Sequence, residues 1–116
     1  MSGFDLERNQ RNVCKAHGCE FHPALGQDKA GVALSTLGVS PIHGLRHPPS
    51  GGTTGWYIWC GEILSDASDF FDPVCVDHLI KELPLVASLL GLPPGYRFVV
   101  ADGYRDVWCD ENLFNV

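Results

Sequence analysis

At 116 residues, 45% hydrophobic and 19% charged, the chain is long enough for one folded unit whose core needs neither metal nor disulfide staples. No run is apolar and long enough to cross a bilayer, and the opening Met1-Ser2-Gly3-Phe4-Asp5-Leu6-Glu7 lacks the basic and apolar regions of a secretion signal, so a cytoplasmic protein without a membrane partner is expected. The formal net charge of -6 is uneven: residues 1–60 hold four acids against five bases, and residues 61–116 hold ten acids against three. Such a field opposes nucleic acid and favours a basic protein partner, although surface charge also serves solubility alone.

In chain order, residues 1–28 are polar and carry no sustained hydrophobic period, which predicts a loose N-terminal arm; residues 29–116 are then the single domain. Lys29 to Val39 alternates weakly through Val32, Leu34 and Leu37 and is expected to be a strand. Ser40 to Gly55, with its prolines, glycines and two histidines, reads as a long loop. Gly55 to Gly61 is a compact strand signal with Trp56, Ile58 and Cys60 on one side and Tyr57 and Trp59 on the other. An acidic loop follows, Glu62 to Phe71, anchored by Phe70 and Phe71. Asp72-Pro73 has the form of a helix start, with Asp72 as N-cap and Pro73 where a missing N–H costs nothing. Val76, Leu79, Ile80 and Leu83 then fall at helical spacing, and Pro84 opens a second short helix ended by Gly91.

The last third predicts a β-hairpin. Pro93-Pro94-Gly95 makes a turn, Tyr96 to Ala101 a strand, Asp102-Gly103 a two-residue hairpin loop, and Tyr104 to Cys109 the returning strand. This register sets Arg97 opposite Trp108, Val99 opposite Asp106 and Ala101 opposite Tyr104 on one face. The other face is an apolar stripe of Tyr96, Phe98, Val100, Val107 and Cys109. Two readings of the first face follow. Trp108 lies under a loop or second layer with Arg97 stacked on it, or the face is a recognition surface, because exposed Trp, Tyr and Arg dominate binding hot spots.

Five cysteines, an odd number without regular spacing, read as reduced thiols in a chain without a secretion signal. Cys14, His17, Cys19 and His22 are zinc-competent residue types, but the single residue between the middle pair is too cramped for a usual tetrahedral site. His43 and His47 read as loop histidines. No nucleophile-elbow, Walker, Rossmann or metalloprotease pattern occurs. The expectation is a non-enzyme with no cofactor and no metal; the alternatives are a small metal- or thiol-dependent enzyme using the N-terminal cluster and a homodimeric domain whose aromatic face is its subunit contact.

Several segments together carry a resemblance: Gly55-Trp56-Tyr57-Ile58-Trp59 with Gly61-Glu62; Asp69-Phe70-Phe71 with Pro73 and His78-Leu79; Leu92-Pro93-Pro94-Gly95-Tyr96-Arg97-Phe98; and Gly103-Tyr104 with Asp106-Val107-Trp108 and Asp110. In this order they resemble bacterial immunity proteins of the immunity protein thirty-three type, over about residues 29–116. The resemblance implies a small α+β protein, encoded beside a polymorphic toxin, that binds and neutralises that cognate toxin in the cytoplasm without catalytic residues. The combined expectation is an α+β domain with an antiparallel sheet of about four or more strands and short helices packed on one side. Its expected partner-binding residues are Arg97, Tyr104, Asp106 and Trp108, with Trp59 and Glu62 as neighbours across the sheet.

Overall fold

The computed structural model describes residues 3–24, 26–49, 53–62, 64, 65, 67 and 69–114. Six strands, β1 (Lys29–Val32), β2 (Ile42–Arg46), β3 (Thr53–Cys60), β4 (Asp72–Cys75), β5 (Tyr96–Ala101) and β6 (Tyr104–Cys109), form one sheet in the order β4-β1-β3-β2-β5-β6. Helix α1 (Gly3–Ala16), helix α2 (Val76–Glu82) and a 3-10 helix (Pro84–Leu89) pack on one face. The class is α+β, as expected, with most neighbouring strands antiparallel. The sheet is mixed, because β1 runs parallel to β3.

Alternation along the central strand explains the core. Trp56, Ile58 and Cys60 of β3 point to the helices, where they meet Val32 of β1, Phe98 and Val100 of β5, and Val13, Leu79, Val86 and Leu89 of the helices. The hairpin register matches the expected pairing at every position from Tyr96↔Cys109 to Ala101↔Tyr104. Its turn needs the left-handed backbone only at Gly103, with φ of 77°. Cys109 departs from the predicted apolar stripe, since it sits at the strand's end and is exposed.

Four sequence expectations are corrected. The predicted arm contains α1, whose Val13, Cys14 and Gln10 are buried; Gln10 Nε2 donates to Ala87 O at 2.9 Å, so a polar residue docks this helix on the 3-10 helix. The predicted first strand ends at Val32 and gives way to a 3-10 turn, Leu34–Thr36. The predicted long loop contains β2, which sits between β3 and β5. Its Gly44 is where a side chain cannot fit, because a β-carbon there would overlap the ring of Phe98. Finally, Asp72-Pro73 does not start a helix. It belongs to β4, an edge strand where proline's missing N–H is harmless. Helix α2 begins at Val76, and its first N–H groups donate to loop carbonyls, Val76 N to Asp28 O at 3.0 Å and Asp77 N to Gly26 O at 3.2 Å, which replaces a side-chain cap.

Arg46 is the unusual core residue, 3% exposed on the helix side of β2. Carbonyls rather than a carboxylate receive its protons: Nε donates to Thr54 O, and Nη1 to His22 O and Leu92 O, each at 2.8 Å. The guanidinium also lies 5.5 Å from the Trp56 ring centroid. Burial lowers its pKa to about 10. One side chain thereby ties β2 to β3, to the segment before β1 and to the segment before β5.

Candidate functional site

The face turned away from the helices is covered over only part of its width. Over β3, Phe71 meets Tyr57 and Trp59 edge-on, at ring-centroid distances of 5.1 and 6.3 Å, and Phe70 packs on Phe71. His43 stacks flat on the indole of Trp59 at 5.0 Å. Over β2, Leu113 of the C-terminal 3-10 helix (Glu111–Phe114) joins Leu45, Trp59 and Ala33 in a second, small apolar cluster. His47 Nδ1 donates to Leu113 O at 3.1 Å and holds that segment down. Beyond Leu45 the cover by described residues thins: Arg97, Val99 and Ala101 of β5 are half-buried, and β6 shows this face to solvent.

There the hairpin brings four of the expected site residues together. Tyr104 is 56% exposed and Trp108 36%, and Asp106 between them is exposed as well. Arg97, directly opposite Trp108, places its guanidinium carbon 5.7 Å from the Trp108 ring centroid and donates through Nη1 to Asp110 Oδ2 at 3.1 Å. The ring is thus stacked by Arg97, and no second layer covers it among the described residues. Asp110 is the residue that strand reasoning missed. Its N–H donates to Gly95 O at 2.6 Å, continuing the hairpin ladder one step past β6, and the predicted register extrapolated by one pair would have located it.

The two remaining site residues lie apart from this group. Trp59 shares the face but is only 4% exposed, sandwiched between His43 and Phe71, so it supports the surface from beneath its cover. Glu62 is exposed just past β3, at the end of the sheet that also carries the hairpin turn, about 14 Å from β6 at three strand spacings. Among the described residues, His43 Nε2 and Arg97 Nε are buried without a hydrogen-bond partner. The Arg97 guanidinium is therefore held at Nη1 and by the indole, not clamped along its whole edge.

The Cys14 and Cys19 side chains are neighbours, but the four cysteines and histidines near the N-terminus do not converge as one group among the described residues. Cys14 is buried at the end of α1, with its thiol donating to Gly91 O at 3.3 Å, while His17 is exposed and His22 faces Glu20 at 3.4 Å. No three His, Cys, Asp or Glu residues come together as metal ligands among the described residues. Burial pushes the Cys14 thiol up to about 11 and the Cys60 thiol upward, the opposite of what a nucleophile needs. Among the described residues no helix is long and apolar enough to cross a membrane.

Compared with known families, residues 9–110 match the family model of the Imm33-like domain. No curated protein and no solved structure matches the chain.

Proposed function

The chain belongs to the Imm33-like family, and on that footing we propose that it is a non-catalytic immunity protein, acting in the bacterial cytoplasm, that neutralises a cognate toxin by binding it directly. The observation that carries the reading is the bare half of the sheet face, where Tyr104, Asp106 and Trp108 are exposed side by side and Arg97 stiffens Trp108 from the neighbouring strand. A stacked, preorganised aromatic loses little side-chain freedom on association. Asp106 beside it, in the half of the chain that carries ten of the fourteen acids, suits a basic patch around the toxin's active surface. Occlusion by shape and charge requires no catalytic group.

The test uses the toxin domain encoded beside this chain, co-expressed in bacteria with the parent protein or with Trp108→Ala or Asp106→Lys, alongside calorimetric titration of the purified pair. The parent should protect growth and bind. Each variant, folded by circular dichroism, should weaken binding by about 2 kcal/mol, roughly thirtyfold. Folded variants that bind and protect like the parent would remove this face from the interface, and a parent that neither binds nor protects would end the immunity reading.

A further inference from the structure

We propose that the outer edge of β6 accepts an extended segment of the partner as a further strand of the sheet, with a basic side chain opposite Asp106 and an acidic one opposite Arg105. That the partner is a toxin rests on the immunity reading; the geometry of the edge does not.

The two edges of the sheet differ. At one, β4 has four residues and contains Pro73, which cannot donate to a ladder. At the other, β6 runs six residues without proline or glycine, about 20 Å, and pairs only with β5. Next to a two-residue loop the flanking pair, Ala101 and Tyr104, exchanges hydrogen bonds, and narrow and wide pairs then alternate. The Asp110 N–H to Gly95 O bond lies on the same alternation. Tyr104, Asp106 and Trp108 thus spend their backbone groups on β5, while Arg105, Val107 and Cys109 turn theirs outward. No other strand pairs with this edge among the described residues.

Charge decides between a foreign strand and a second copy. Two copies of β6 joined about a two-fold axis must pair residues that point to the same face. Centring on Asp106 sets two carboxylates opposite each other, and centring on Arg105 sets two guanidiniums opposite each other, both unfavourable. Centring on Val107 avoids this but places Asp106 against Trp108 and Arg105 against Cys109, so neither charge meets its opposite. A foreign strand can answer both charges at once. Residues 102–111 hold Asp102, Asp106, Asp110 and Glu111 against Arg105 alone, which favours a net basic segment. Such a strand would also extend the open face, setting its own side chains beside Tyr104, Asp106 and Trp108.

The probe is a capped, valine-rich six-residue peptide with lysine opposite Asp106 and glutamate opposite Arg105, compared with its charge-swapped counterpart and followed by backbone amide NMR shifts of the full chain. The expected result is binding of the first peptide with shifts centred on the Arg105, Val107 and Cys109 amides, at least about fivefold tighter than the swapped peptide. Cys109→Pro removes one outward N–H without touching the β5 ladder and should weaken binding about tenfold, whereas Cys109→Ser, which keeps the N–H, should not. Should Cys109→Pro fail to fold, Arg105→Pro set against Arg105→Ala repeats the comparison, since both lack the guanidinium and only the proline lacks the N–H. No peptide binding, or proline variants that bind like the parent, would overturn the proposal. So would a concentration-dependent dimer in sedimentation that protects the same amides, since a second copy would then be the occupant. With the toxin domain, tight binding that ignores the proline variants sinks the edge and spares the immunity reading; peptide binding at the edge without toxin binding does the reverse.

Discussion

Trp56 and Trp108 stand on opposite faces of one sheet and are held in opposite ways. Trp56 is 1% exposed beneath the helices, its indole N–H donating to Leu90 O at 3.0 Å and its ring packed at 5.5 Å from Phe98. Trp108 is stacked by Arg97 but remains open to solvent. Trp59 shows the intermediate case, on the same face as Trp108 yet closed over by Phe71. The difference teaches that the helix-covered face specifies the fold, while the uncovered half of the other face is spared from packing. A residue type that is costly to leave in water is kept there with no second layer among the described residues, which fits the binding surface proposed above.

The largest expected effect lies on the covered face. Trp56→Ala should cost about 3–5 kcal/mol, because it leaves a cavity among Phe98, Ile58 and the helices and also removes the donor to Leu90 O. Urea denaturation of the parent and the variant reads the loss directly. A cost under about 1 kcal/mol would mean that the core is not organised around this ring.

Much of this arrangement is legible from sequence where the determinants are local. The Asp102-Gly103 turn fixes the hairpin register residue by residue, and the alternation in Gly55–Gly61 places Trp56 and Trp59 on their correct faces. What escapes sequence reading depends on distant partners. Gly44 and Arg46 of β2 look like loop residues until Phe98 is seen to occupy the space above the glycine and four carbonyls, from two distant segments and one neighbouring strand, are seen around the guanidinium. Asp72-Pro73 carries a helix-start signal, but pairing with β1 outweighs that local preference, and Gln10 anchors α1 by a bond to residue 87 that no periodicity reveals. The site divides the same way. Arg97, Tyr104, Asp106 and Trp108 are grouped by the hairpin's own turn, whereas the burial of Trp59 depends on a loop folding back from residues 70 and 71.

A smaller effect, again confined to the covered face, comes from pH. Cys14, raised to about 11, and Cys60, also raised, keep their protons in the folded protein after they would ionise in the unfolded chain, whose thiols titrate near 9. Above that value the unfolded state therefore binds fewer protons, and stability falls as pH rises. Arg46 acts in the other direction. Its lowered value of about 10 means that the folded state releases that proton first, so stability gains from this group as pH climbs past 10. In reducing buffer the melting temperature should fall between about pH 8 and pH 10, and Cys14→Ser should flatten that slope. A parent whose melting temperature is level across the window would show that the thiols are not shielded as the packing of α1 implies.

The smallest expected effect on stability is at Trp108 itself. Its ring touches Arg97 on the surface of the sheet, and an exposed cation–π contact is worth about 0.5–1 kcal/mol. Arg97 keeps its bond to Asp110 when the ring is removed, so the loss should not spread into the hairpin ladder. Trp108→Ala should therefore cost at most about 1 kcal/mol in urea denaturation, several times less than Trp56→Ala. The size of the ratio is what matters. If the two tryptophans cost the same, Trp108 is a packing residue, the two faces are equivalent, and a loss of partner binding in that variant says only that the protein has come apart. If Trp108→Ala is nearly free for folding yet weakens binding roughly thirtyfold, the ring belongs to the interface, because no other role makes a side chain dispensable to the fold and indispensable to the complex.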